Sequence, residues 1–234
     1  MHLSIILPTF NEKKNIQILI SRLVKLIPSN IKKEIIVIDD NSPDGTFKIL
    51  NKKFKNEKFI KLILRNSKKK RSLAASIGEG IKKSLGRLVL IMDTDLNHNP
   101  NQVMKLFKYG LKNDLVICSR FIPRGSMDDK FHFYSSYIFN WLLAKILKTG
   151  VKDNTGGFFC IQRNIINLLP FNKIFYGYGD YFFRLLYYVK FKKVIIKEIP
   201  TNYKKRKFGK SKSKFLVMIF KYLISALSLR YKSK

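Results

Sequence analysis

Short apolar runs rich in Ile, Val and Leu recur at residues 3–7, 35–38, 60–64, 88–92 and 115–118, each the length of a buried strand. Between them, apolar residues repeat at helical spacing. Ile16, Leu19, Ile20, Leu23, Val24 and Ile27 line one face of a helix that Pro28 ends. Shorter stripes follow at Phe47, Leu50 and Phe54, at Ala74, Ile77 and Ile81, and at Val103, Leu106 and Phe107. Strand and helix alternate through residue 118. This alternation predicts an α/β fold, a mostly parallel sheet with helices on both faces. Ligands of such sheets sit at the carboxyl ends of strands, so the residues just after each run are the first candidates for chemistry.

Beyond Arg120 the pattern changes. Residues 131–147 crowd together Phe131, Phe133, Tyr134, Tyr137, Ile138, Trp141, Leu142 and Leu143, flanked by Lys130, Lys145 and Lys148. Tyr and Trp beside Lys suit a helix lying in a bilayer interface, with apolar sides sunk and cationic tips at lipid phosphates. An ordinary core helix gives the same pattern. Residues 215–229 form a second such run, interrupted by Lys221 and shorter than the roughly 20 apolar residues a spanning helix needs, so surface attachment is expected. Before it stands Lys204-Lys205-Arg206-Lys207-Phe208-Gly209-Lys210-Ser211-Lys212, either a solvated loop or a phosphate-gripping one. The expected organisation is one domain over residues 1–203, followed over 204–234 by the basic loop and an amphipathic, membrane-proximal helix.

Composition adds a constraint and leaves a choice open. The chain has 234 residues, 46% of them hydrophobic, enough for one substantial core. Its 47 Lys and Arg against 15 acidic residues give a formal charge of +32, which favours polyanions without choosing among phospholipid, nucleic acid and nucleotide. Cys118 and Cys160 stand at neither metal-ligand nor redox spacing, as in a reduced protein, and Met1-His2-Leu3-Ser4 enters an apolar run without a secretory signal. A cytoplasmic protein, peripheral on the inner face of a membrane, is the expectation.

Three strand ends carry polar clusters. Leu90-Ile91-Met92-Asp93-Thr94-Asp95 sets two carboxylates two positions apart, which extended geometry points to one side. Such a pair can hold Mg²⁺ or Mn²⁺ and leave coordination positions for diphosphate oxygens, although a turn built on Asp gives the same triplet. Pro8-Thr9-Phe10-Asn11-Glu12 follows the first run and Asp39-Asp40-Asn41-Ser42-Pro43-Asp44-Gly45-Thr46 the second. Phe10 can pack beside a base or ribose, Glu12 and Asp40 can accept hydrogen bonds from them, and Pro8 can shape the wall. Glu12 also suits a helix start, and 41–45 a turn before a helix capped by Asp44 or Thr46. Three clusters at successive strand ends favour a nucleotide site.

The motifs PTFNEKKNI, IDDNSPDGT, MDTDLNHNP, CSRF, DNTGGF and RKFGKSK, in this order, resemble dolichyl-phosphate mannosyltransferases and related polyprenyl-phosphate glycosyltransferases of family 2. The resemblance spans nearly the whole chain. It implies a GT-A, Rossmann-like fold, a nucleotide sugar donor (GDP-mannose or a UDP-sugar), inversion at the anomeric carbon, a polyprenyl phosphate acceptor and a membrane surface, with or without a membrane-anchoring subunit. It further implies that Pro8, Phe10, Glu12, Ile38, Asp40, Asp93 and Arg206 bind the nucleotide sugar, and that Asp93, Asp95 and Asn97 bind the metal. Arg120, Ser211 and Lys212 are implied for the acceptor phosphate, with Asp95 and Arg120 the catalytic pair. Asn97 falls where relatives often carry Gln or Ser, Lys210 where an acidic residue is common, and Ser135 where a second phosphate-binding arginine is expected, a charge that Lys130, Lys145 or another cation would then supply. Asp180 is a candidate base only for a hydroxyl acceptor and otherwise a helix cap; His98 reads as a turn residue.

Other classes fit less well. A haloacid-dehalogenase-like phosphotransferase uses an Asp-x-Asp pair, but near the start of its domain and with a downstream lysine and acidic pair. A dinucleotide oxidoreductase needs a Gly-x-Gly-x-x-Gly turn where this chain has Pro8-Thr9-Phe10-Asn11-Glu12. A basic nucleic-acid or membrane-binding protein explains the charge but not acidic clusters at strand ends, so no nucleic-acid partner is expected.

Overall fold

A computed structural model of the chain describes residues 1–66, 70–206, 208 and 215–232. Its elements run β1 (Leu3–Thr9), α1 (Lys13–Leu26), β2 (Lys33–Asp39), α2 (Thr46–Phe54), β3 (Ile60–Leu64), α3 (Leu73–Lys83), β4 (Leu88–Ile91), α4 (Gln102–Gly110), β5 (Leu115–Ser119), β6 (Ser126–Met127), α5 (Lys130–Leu147), β7 (Phe159–Gln162), α6 (Arg163–Asn167), α7 (Phe171–Ile174), α8 (Tyr181–Val189), β8 (Ile196–Pro200), β9 (Asn202–Tyr203) and α9 (Phe215–Lys232). Every apolar run and helical stripe of the amino-terminal half is thus an element of the predicted type.

The main sheet has the order β3-β2-β1-β4-β7-β5-β8. β1 pairs in parallel with β2 and β4, and all seven of its residues are buried, as befits a central strand covered on both faces. Successive side chains go to opposite faces. Ile5 and Leu7 join α1, α2 and α4 in one core, whereas Ile6 and Ile38 join α3 and α8 in another. β7 lies antiparallel between β4 and β5, so the sheet departs from the parallel pattern at the segment Phe159-Cys160-Ile161-Gln162. This apolar run carried a strand signal, but it falls after the aromatic stretch, where the alternation of strand and helix has ended.

A third core joins α5, α8 and α9 through Phe139, Leu143, Leu147, Phe183, Tyr187, Tyr222 and Ala226. The core reading of the aromatic helix holds for one side only. Its inner side is core, while Phe131, Tyr134, Ile138 and Trp141 form an outward stripe at helical spacing, Phe131 being 76% exposed. α9 repeats the arrangement with Phe220, Ile224, Leu227 and Tyr231 outward. Among the described residues, no helix is long and apolar enough to cross a membrane.

α3 approaches the sheet closely because Gly80 lacks a side chain: a Cβ there would lie 2.6 Å from Ile6 Cγ2 and 3.1 Å from Ile38 Cδ1. That approach sets the start of α3 beside the strand ends. Gly80→Ala is expected to destabilise the fold by about 1–3 kcal/mol through overpacking, measured by urea denaturation. An unchanged midpoint would mean that α3 lifts off the sheet at no cost.

Candidate active site

Because β2, β1 and β4 are neighbours, the loops after them converge on a single cavity of about 530 Å³. Pro8, Thr9, Phe10 and Glu12 come from the first, Asp40 from the second, and Asp93, Thr94, Asp95 and Asn97 from the third. The start of α3 adds Arg71, Ser72, Leu73 and Ser76, and Tyr178 and Arg206 close the side. Strand pairing sets this convergence. Asp40 N–H donates to the Thr9 carbonyl at 2.9 Å, and Thr94 Oγ1 donates to the Pro8 carbonyl at 3.3 Å.

The loop after β4 is folded for presentation of its acids. Leu96 takes a left-handed conformation at φ 66°, and Asn97 N–H donates to Asp95 Oδ1 at 3.1 Å, an Asx turn of the kind Asp stabilises. The turn that competes with the metal reading at the sequence level is therefore real and part of the site. Among the described residues Asn97 Oδ1 is buried without a hydrogen-bond partner, an orphaned acceptor beside the two aspartates. Two carboxylates and one amide oxygen make a hard donor set that fits Mg²⁺ or Mn²⁺.

Like charges crowd this cavity. Burial in the cavity and the nearby Asp95 carboxylate push Asp93 up to about 7, while Arg206 pulls it down and Glu12 pushes it up further. Forty-two per cent of the Asp93 side chain remains open to water, which softens these effects. Arg206 bridges the opposing walls: Nη1 donates to Glu12 Oε1 at 3.0 Å and Nη2 to Asp95 Oδ2 at 2.7 Å. Glu12 is also held by Asn15 Nδ2 at 2.6 Å. Asp40 pairs with the buried Arg65 and accepts from the Ser72 amide at 2.8 Å, which ties β2, β3 and α3 together. Arg71 stacks over Phe10, its guanidinium carbon 4.2 Å from the ring centroid.

Other residues singled out in the sequence stand apart from the cavity. Ile38 is fully buried and faces Gly80, so it supports the cavity from behind without lining it. Arg120 is also buried and does not line it. Its Nε and Nη2 donate to Asp153 at 2.8 Å each, with Nη2 also donating to Thr155 Oγ1 at 2.9 Å, so its paired fork is turned to a carboxylate. Nη1 takes no part in that pairing. Ser135 Oγ donates to its own helix, at the Phe131 carbonyl. Asp180 occupies the cap position of α8, and its carboxylate is already engaged by Arg184, Ser225 Oγ and the Tyr178 amide. His98 lies in a bend as read, yet its ring is wholly buried. Ser211 and Lys212, with Lys207 and Lys210, lie outside the described residues.

Arg65, Arg71, Ser72, Tyr178 and Asp153 were not legible as site residues. Arg65 follows β3 as Asp40 follows β2, a positional signal available in the sequence; Arg71 is hidden within a run of lysines at 68–70. Asp153 sits in the DNTGGF motif, but its partner is fixed only by tertiary packing.

Comparison with known proteins places this architecture. The family described as Glycosyl transferase family 2 matches residues 4–169. The chain belongs to this family. It is 31% identical over 232 residues to the dolichol-phosphate mannosyltransferase of Pyrococcus furiosus, covering 95% of this chain and 62% of that protein. The Saccharomyces cerevisiae dolichol-phosphate mannosyltransferase is 30% identical over 167 residues, covering 70% of this chain and 61% of its own length. This chain therefore spans somewhat under two thirds of these relatives. Glucosyl-3-phosphoglycerate synthase from Mycobacterium tuberculosis, solved with Mn²⁺, UDP-glucose and phosphoglyceric acid, superposes with a TM-score of 0.74 at 19% identity, over 98% of this chain and 79% of that one. The same enzyme with Mg²⁺ and UDP gives 0.73 at 18% identity, over 98% and 79%. These structural likenesses establish the GT-A type of α/β fold for the family 2 chain.

The raised Asp93 value has a stability consequence. A carboxyl that holds its proton more tightly when folded contributes stability below its ordinary range, and that contribution is lost as pH rises through about 7. Asp93→Asn removes the repulsion, so without divalent metal its melting temperature should exceed wild type by about 2–4 °C on the alkaline side of that range, with the gap closing in acid. Added Mn²⁺ should stabilise the wild type and leave Asp93→Asn unmoved. A gap that ignores pH would contradict the crowded-charge reading.

Proposed function

We propose that this family 2 glycosyltransferase moves a sugar, mannose, from GDP-mannose to the phosphate of a polyprenyl lipid such as dolichyl phosphate, with inversion, at a membrane surface. The observation that carries the reading is the convergence of Asp93, Asp95 and the orphaned Asn97 oxygen with Glu12 and Asp40 in one cavity at the strand ends. Its likeness to dolichol-phosphate mannosyltransferases over most of its length supports the choice of sugar and acceptor.

In this reading Asp93, Asp95 and Asn97 hold Mg²⁺ or Mn²⁺, and Pro8, Phe10, Glu12 and Asp40 seat the nucleoside, with Ile38 packed behind. The bound cation supplies Lewis-acid stabilisation of the charge that gathers on the departing diphosphate. Arg206 leaves the Glu12–Asp95 bridge to meet the diphosphate, since a guanidinium binds phosphate and carboxylate with the same fork. An acceptor phosphate oxygen forms the new bond to the anomeric carbon while the bond to the nucleoside diphosphate breaks. The acceptor phosphate is already ionised near neutral pH, so no side chain has to take a proton. Arg120 meets that phosphate through Nη1 while Asp153 fixes its plane, and Ser211 and Lys212 complete the grip.

The outward stripes of α5 and α9 give the lipid side of the reaction a physical basis. Aromatic and aliphatic side chains flanked by Lys130 and Lys145 match an interfacial surface that sinks into acyl chains and meets anionic headgroups. We take residues 1–203 as the catalytic domain and residues 204–234 as the segment that joins it to this surface, working with or without an anchoring subunit.

The direct test incubates the protein with radiolabelled GDP-mannose, polyprenyl phosphate vesicles and Mn²⁺ and follows label into lipid, with UDP-glucose and 3-phosphoglycerate as the competing pair. Lipid mannosylation lost by at least a hundredfold in Asp95→Ala supports the reading; glucosylation of phosphoglycerate in its place overturns it. The joint change Trp141→Ser, Phe220→Ser and Ile224→Ser should reduce sedimentation with anionic vesicles at least tenfold and leave soluble-donor binding intact. Undiminished vesicle binding would remove these stripes from the membrane surface.

A further inference from the structure

His98 stands five residues beyond Asp93 and is fully buried. Its ring stacks on Phe158 with centroids 4.6 Å apart and planes 7° from parallel, and Tyr203 closes the other side at 4.8 Å. Nδ1 accepts a hydrogen bond from the Asp93 amide at 3.1 Å, so that nitrogen carries no proton and Nε2 does. Burial holds the imidazole neutral, pulling its pKa down to about 3. Nε2 faces the Gly156 backbone carbonyl and lies 3.7 Å from Asp93 Oδ2. The ring is held in place through Nδ1 and through its two aromatic faces.

Within the loop it grips, Thr94 Oγ1 donates to the Pro8 carbonyl at 3.3 Å and Asp95 accepts from Arg206 at 2.7 Å, but the start of the loop is held by His98. Its first residue, Asp93, donates its amide to His98, its middle turns through Leu96 at φ 66°, and Asn97 offers its carbonyl to the Lys204 amide at 3.1 Å. Tyr203 in turn donates to the Gly156 carbonyl at 2.6 Å. His98 is therefore the point where the acidic loop, the segment before β7 and the strand leading to Arg206 meet.

We propose that His98 is the positioning residue of the cation site: through Nδ1 it clamps the Asp93 amide, and so sets the loop that presents Asp93 and Asp95 together. The inference rests on the reading of those aspartates as cation ligands. Groups outside the ligand shell that orient ligands in this way typically carry about ten- to a hundredfold in metal affinity.

The test compares His98→Asn, whose side-chain oxygen can stand where Nδ1 does, with His98→Gln, which places its amide one bond further out. Mn²⁺ affinity of the full chain is measured by calorimetry without nucleotide, and folding by circular dichroism and thermal melting. His98→Asn should bind Mn²⁺ within about threefold of wild type, and a folded His98→Gln about tenfold or more weakly. Equal affinity in both variants, or equal loss in both, overturns the positioning role and leaves His98 as core filling. Should wild type itself bind no Mn²⁺, the metal reading fails first, a result distinct from failure of the clamp.

Discussion

Carboxylates gathered at one edge of a sheet repel each other, and the whole site depends on how that repulsion is met. Glu12, Asp40, Asp93 and Asp95 reach one cavity because β1, β2 and β4 are adjacent and parallel. Asp40 is answered by Arg65, a fixed and buried partner, so it belongs to the frame. Glu12 and Asp95 are answered by Arg206, which arrives from the segment after β9. Among the described residues Asp93 has no comparable partner, and it is pushed up to about 7. A site left short of positive charge in this way favours a divalent cation with its diphosphate, since the pair brings both the charge and the ligand.

The surrounding fold serves that convergence. Opposed cores hold the sheet rigid, Gly80 lets α3 come close enough for Ser72 to reach Asp40, and His98 pins the acidic loop from beneath. The third core does something different. By packing α5 and α9 on α8, it turns two apolar stripes outward and sets them beside a protein whose formal charge is +32. The proposed transfer to a lipid phosphate would use both features, a polar cavity for the donor and an apolar surface for the chain of the acceptor.

The amino-terminal half was legible because its signals are local. Ile16 to Ile27 read as a helix face and residues 3–7 as a buried strand from spacing alone, and the polar clusters after β1, β2 and β4 fell where a parallel sheet puts ligands. What spacing could not supply is pairing. That Arg120 faces Asp153, Asp40 faces Arg65 and Arg206 faces Glu12 and Asp95 depends on tertiary contacts across 33, 25, 194 and 111 residues. β7 was missed because its apolar run falls after the aromatic stretch, where strand and helix no longer alternate, and its reversed direction is set by the neighbouring strands. His98 looked like a turn residue because burial of a single imidazole leaves no periodic trace.

The central claim is that one nucleotide diphosphate is held through a cation on Asp93 and Asp95. Calorimetric titration of GDP into the chain with Mn²⁺, and again with excess EDTA, tests it most directly. Tight binding with the metal and binding at least tenfold weaker without it is the predicted result, whereas equal affinity in EDTA would contradict the account.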